Sequence, residues 1–285
     1  MRTPAFILVA FAISAAGASA ADRRGHLETE DLPAHLRDRG AGIATSMFAT
    51  YVQEGQLLVY PFVELYRDSD YEYKPAELGY DEDVDYRGRY TASEELLFLA
   101  YGVSDRLAIE MEAAIIQAKL EKSAEDGSGV PDEIKESGLG DVEGQLRWRW
   151  AGETNGSPEI FSYLETVFPT QEEGSLIGTS DWEFKFGTGV MRGFSWGTMA
   201  LRAAVEHDRG EGETDIGELA VEYVKRLSPS WRVYAGAEGT QDEWEMITEV
   251  QWHLAPQIFV KLNNAFGLTS KATDWAPEFG VMFGF

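Results

Sequence analysis

The chain has 285 residues, with 24 Lys and Arg against 49 Asp and Glu and a formal net charge of −25. That balance excludes nucleic acid as a partner, because neutralising phosphates requires clustered bases. The chain has no cysteine, so disulfide frameworks, thiolate nucleophiles and Cys-type zinc sites are excluded too, and its 12% aromatics and 29 Gly suit strands.

In chain order, residues 1–20 read as a secretory signal peptide. Arg2 is the positive n-region, the uncharged run Ala5 to Ala16 is too short to span a bilayer as a helix, and Ala18-Ser19-Ala20 is an A-x-A cleavage site. Residues 21–55 follow as a periplasmic or plug segment. Asp31 is placed to cap a short helix with Pro33 in its first turn and Gly40 at its end, and Ile43 to Val52 reads as extended.

From Gln56 to the end, segments of about ten residues alternate apolar and polar side chains. Neighbouring side chains in a strand point to opposite faces, so each segment has one apolar and one polar wall. Leu107, Ile109, Met111, Ala113 and Ile115 share a face against Glu110 and Glu112. Val142, Gly144, Leu146, Trp148 and Trp150 stand against Glu143, Gln145, Arg147 and Arg149. Trp182, Phe184, Phe186 and Val190 oppose Glu183 and Lys185, and Trp244, Met246, Val250 and Trp252 oppose Glu245, Glu249, Gln251 and His253. Twelve strands are predicted, over 56–67, 86–102, 106–121, 139–151, 158–169, 181–192, 196–208, 215–227, 231–240, 243–254, 257–267 and 274–285. The second is ambiguous in phase, because Glu94 and Glu95 are adjacent.

Short links such as Val103-Ser104-Asp105 and Ser228-Pro229-Ser230 alternate with longer polar ones, notably Asp68 to Asp85 and Lys122 to Gly138. Transmembrane barrels have this rhythm of short periplasmic turns and longer external loops, with an even strand count. Ala151 to Ser157 breaks it, being long for a periplasmic turn. The eight Trp fall near strand ends, as interfacial girdles require. The fold class predicted for 56–285 is therefore all-β: a transmembrane antiparallel barrel of about twelve strands, outer-membrane in location, with both termini periplasmic. Outer-membrane lipid and lipopolysaccharide are the expected surroundings.

The last strand sets Phe279, Val281, Phe283 and Phe285 at alternate positions. It resembles the C-terminal signal of bacterial outer-membrane proteins, which implies recognition by the barrel-assembly machinery through Phe285. The segment Ser137-Gly138-Leu139-Gly140-Asp141-Val142, running into Gln145-Leu146-Arg147-Trp148-Arg149-Trp150, is similar to the G-L-G-D strand start of a second group. That group is the outer-membrane family associated with the meta-cleavage pathway of phenol degradation. This resemblance implies a channel or transporter, with hydrophobic or aromatic solutes.

Lumen-lining candidates are Glu64, Glu110, Glu112, Glu143, Arg147, Arg149, Glu183, Lys185, Arg202, Glu222, Glu245, Glu249 and Lys261. Both signs are present with acid in excess, so the lining is either a cation-favouring path or a wall of cross-strand ion pairs. Asp81, Asp83 and Asp85 are weak candidates for a hard cation, without the glycine and glutamate spacing of an EF-hand. With four His and no Gly-x-Ser-x-Gly, no catalytic residue emerges. The reading is a non-enzymatic barrel without cofactor that passes small molecules. A non-conducting barrel acting through its loops is the alternative, and a lipid-modifying enzyme the weaker one.

Overall fold

The computed structural model describes residues 32–285, apart from 172–174, 211 and 242. The expected signal peptide and Asp31 lie outside the described residues. Two short strands, β1 (Ile43–Ala44) and β2 (Tyr51–Val52), pair with each other. Twelve more follow: β3 (Leu57–Tyr73), β4 (Tyr86–Gly102), β5 (Leu107–Lys122), β6 (Glu133–Ala151), β7 (Glu159–Phe168) and β8 (Glu183–Phe194). The remainder are β9 (Gly197–Asp208), β10 (Glu213–Ser228), β11 (Trp231–Thr240), β12 (Glu243–Ala255), β13 (Ile258–Gly267) and β14 (Trp275–Gly284). These twelve pair antiparallel in sequence order and close through β14 against β3, giving an all-β barrel of the predicted strand count.

Closure follows from the sequence pattern. Ile109, Met111, Ile115, Leu146, Phe186, Val205 and Leu262 are exposed, while Glu110, Gln145, Arg147, Glu249 and Lys261 are buried. An apolar outside and a polar inside invert a soluble protein and suit a barrel in lipid, where every backbone group needs a partner and no sheet edge is tolerated. Phe285 completes the seam: its N–H donates to the Leu57 carbonyl at 2.8 Å, and its carbonyl accepts from the Leu57 N–H at 3.1 Å. Trp148, Trp150, Trp196, Trp231 and Trp252 ring the short-turn end, with Trp231 and Trp252 stacked at 5.8 Å. Trp182 and Trp275 are exposed at the other end.

Two external links are shorter than expected. β3 runs on to Tyr73, paired with Tyr86 to Gly88 beyond a bulge at Asp68, and the rings of Tyr71 and Tyr90 stack at 4.8 Å. β6 begins at Glu133, six residues before the predicted start, paired with the end of β5. Here the inner side packs into a small cluster of its own around Tyr73, Leu120 and Val130, and the outer side meets water rather than lipid, so the apolar outer face stops although backbone pairing continues. The phase of β4 is settled by its neighbours. Glu95 lies opposite Val63 and Ile115, both outward-facing, so Glu95 faces out and Glu94 faces the lumen.

The G-L-G-D segment coincides with a bulge. Val142 pairs with Ala113 and Leu139 with Ile115, so Gly140 and Asp141 together oppose Ala114. Two residues against one leaves both turned inward. Gly140 packs under Ile116, and the Asp141 carboxylate accepts the Thr179 N–H at 2.8 Å.

Candidate functional site

The lumen holds two layers. At the short-turn end, residues 32–56 lie inside the barrel. Pro33 leads into a 3-10 turn at Ala34–Leu36, Gly40 takes a left-handed φ of +91°, and the β1–β2 hairpin follows. Its apolar side chains pack on the wall: Ile43 and Val52 beside Tyr60 and Phe98, Ala44 beside Phe161 and Tyr163, and Phe48 stacked on Tyr234 at 4.9 Å. Irregular backbone in such a place needs donors for its carbonyls. Arg147 donates to Ala44 at 3.0 Å, Arg232 to Ala49 at 2.9 Å, and Arg149 to the carbonyls of Gly42 and Ala41. Glu110 accepts from the N–H and hydroxyl of Ser46 at 2.9 and 2.6 Å.

Ion pairs fasten the rim of this segment. Arg39 donates to Glu159 at 2.9 Å and to Glu153 at 3.2 Å, all three side chains being almost fully buried. Asp38 takes Lys225 at 3.3 Å and the N–H of Arg226 at 2.9 Å. Glu153 also accepts the N–H of Gly193 at 2.8 Å, which accounts for the long Ala151 to Ser157 link: that turn carries the acid that pins the segment. Two glycines let the backbones meet. A Cβ on Gly193 would lie 1.9 Å from the His35 oxygen, and one on Gly102 would lie 2.0 Å from the Gln53 oxygen.

Above this layer the wall is divided by charge. On one side the bases are paired: Lys185 with Glu165 at 3.0 Å, Lys261 with Glu249 at 3.0 Å, and Arg202 with Glu218, Glu222 and Glu238 at 3.1, 3.0 and 2.7 Å. On the other side acids oppose acids. Glu278 lies opposite Glu64, Glu64 opposite Glu94, and Glu112 opposite Glu143. Among the described residues none of these five forms an ion pair, although Glu278 accepts from Asn263 at 2.7 Å and from the Tyr60 hydroxyl.

Residues 175–180, in the external link after β7, fold inward over the acidic side. Ile177 is buried against Ile116 and Leu96, and the loop is tied down where Glu136 accepts the Leu176 N–H at 2.6 Å and the Ser175 hydroxyl at 3.0 Å. Between loop and wall is a cavity of about 260 Å³ lined by Tyr90, Leu96, Ile116, Ile177 and the acids of β4, β5 and β6.

The predicted lumen residues do not act together. Glu110, Arg147 and Arg149 belong to the floor and bind the N-terminal segment, whereas Glu112 and Glu143 line the cavity above it. Asp81, Asp83 and Asp85 are exposed on the loop after β3, and among the described residues no group of three or more acidic or His side chains could hold a metal ion. Sequence reasoning missed Arg39, Glu153 and Glu159, whose short polar surroundings resemble any surface turn, and Asp141, hidden by the bulge.

A closed twelve-stranded barrel with an apolar exterior and a polar interior has the architecture of an outer-membrane β-barrel. The solved structures agree on that fold. The chain is similar to an outer membrane channel from Pseudomonas putida F1, at 9% identity and a TM-score of 0.62, over 85% of this chain and all of the other. It is also similar to the KdgM porin in complex with disordered oligogalacturonate, at 8% identity and a TM-score of 0.52, over 80% of this chain and 99% of the other. No protein-family description and no curated protein match the chain.

Proposed function

We propose that this protein is a passive outer-membrane channel for small molecules, entered from the external side through the cavity under the β7–β8 loop. The observation that carries the reading is the division of the lumen into an open, unpaired acidic vestibule and a floor made by residues 32–56. A barrel with a purely structural lumen gains from pairing its charges across strands, as the Arg202 cluster does; the acidic side forgoes that gain. Both similar structures are of a channel and a porin, which supports the same reading. Its finer form, passage of hydrophobic or aromatic solutes, rests on the G-L-G-D resemblance and on the Tyr90, Leu96, Ile116 and Ile177 surface of the cavity.

The second reading, a non-conducting barrel, is favoured by one specific observation: the N-terminal segment is bound from many sides. The two are separated by planar-bilayer recording of the purified protein beside a variant lacking residues 32–55. The channel reading expects small, selective conductance in the full chain and larger conductance in the truncated one. Silence from both, in barrels shown to be folded by heat-modifiable gel mobility, would overturn it. Lipopolysaccharide contact with the external rim and recognition of Phe285 by the assembly machinery are part of the same proposal.

A further inference from the structure

The external cavity has two chemistries on one surface. Tyr90, Leu96, Ala114, Ile116, Leu176 and Ile177 form an apolar floor and roof, while Glu94, Glu112, Asp141 and Glu143 form one side. Among the described residues no Lys, Arg or His lines it. The shape is built rather than incidental, since the roof is fixed by the Glu136 and Asp141 hydrogen bonds to Leu176, Ser175 and Thr179.

Glu112 is the informative residue. It is half-buried, it lines the cavity, and among the described residues its carboxylate makes no hydrogen bond or ion pair. A buried polar group without a partner is costly, and a second carboxylate directly across the ladder adds repulsion. Asp141 has the Thr179 N–H; Glu94 and Glu143, like Glu112, have no donor among the described residues. The cavity thus lacks one thing, a positive charge with donors, next to an apolar and aromatic surface. A bare metal ion is a poor match, because the acids do not converge into a coordination shell.

We infer that this cavity binds organic ammonium ions whose cationic head meets Glu112 and Glu143 and whose apolar or aromatic body lies against Tyr90, Ile116 and Ile177. The amine N–H groups supply the donors that Glu112 lacks. Tyr90 lies in the cavity wall, where an aromatic ring packs on an apolar body or attracts a nearby cation. Few polar groups set in an apolar pocket is the usual composition of a small-molecule site. The inference deepens the passage reading by naming the solute class, and binding at equilibrium does not require conduction.

The test is calorimetric titration of the full protein, in discs of zwitterionic lipid, with 2-phenylethylammonium, phenylacetate, methylammonium and Mg²⁺, empty discs being subtracted. One-to-one binding of 2-phenylethylammonium is expected, at least tenfold tighter than phenylacetate or methylammonium. Glu112→Gln with Glu143→Gln should weaken it at least tenfold, and Asp81→Asn should leave it unchanged. Ile177→Ala should weaken the aryl amine but not methylammonium. If the double variant fails the heat-modifiability check, Glu94→Gln provides the same comparison with one acid removed. Phenylacetate binding as tightly, a Gln variant binding like the parent, or Mg²⁺ displacing the amine at equal concentration would each overturn the inference. Binding without conductance would sink the channel reading alone; conductance without binding would sink this inference alone.

Discussion

Glu112 and Glu143 stand directly opposite each other across the β5–β6 ladder, and among the described residues neither is joined to a base. Like charges in that position are destabilising by a few tenths to about 1 kcal/mol. The wall keeps a repulsive pair at the point where the external cavity opens. Glu112→Gln should therefore raise the thermal unfolding midpoint by a few degrees in the same detergent, because it removes repulsion and leaves a donor facing Glu143. A lower midpoint would show that the two acids are held by something stabilising.

Ion selectivity should depend on which acids are neutralised. Glu110 is shared by Arg147 and Ser46, and Glu249 is paired with Lys261, so their fields are compensated. Replacing Glu94, Glu112 and Glu143 together by Gln should reduce cation preference sharply at 0.1 M salt. The preference of the parent should fade toward 1 M, where the Debye length falls to about 3 Å. Anion preference at low salt, read as a reversal potential, would contradict this.

The floor should loosen when its pins are cut. Arg39→Ala leaves Glu153 buried without its base and Glu159 with Arg149 alone, a loss on the order of 3 kcal/mol in the seating of residues 32–56. Gly193→Val introduces a branched side chain where the His35 carbonyl now lies, and should act the same way by a steric route. Both variants should show higher conductance and faster proteolysis before residue 56 while the barrel itself stays folded.

The lipid face is tested from outside. Met111→Arg places a charge deeper in the apolar band, where such a charge costs about 2–4 kcal/mol toward the midplane, and should block assembly. Glu112→Gln should assemble normally. Heat-modifiable mobility separates the two, and equal folding of both would mean that inside and outside are exchanged.

The external β5–β6 hairpin should weaken in acid. Hydrogen bonds from Lys119 and then Lys135 hold the Glu133 carboxyl down at about 2, below its ordinary 4.5. A depressed carboxylate contributes stability above its ordinary value and loses it as pH falls toward its folded one. The hairpin should become more susceptible to an acid-active protease between about pH 4.5 and 2. Because the pair is exposed, the effect should be small and diminished by salt.

The alternation of residues such as Ile109, Glu110, Met111 and Glu112 was enough to determine the barrel, its strand count and which face meets lipid. In a strand the side-chain period is two, and in a membrane the two environments differ as much as two solvents can. Local pattern and global fold then carry the same information. Register and strand extension above the membrane escaped it, since without lipid outside the strands there the chain needs no apolar outer face to read.

What only the tertiary structure decided is how the inward charges divide. Glu110 and Glu112 are equivalent in sequence, two residues apart on one face of β5. One is consumed by Arg147 and Ser46 at the floor, and the other is left facing the cavity across from Glu143. The difference comes from partners more than thirty residues away, brought in by closure of the barrel and by a segment that enters it. Burial and pairing of a charge depend on distance in space, and no period along the chain encodes that.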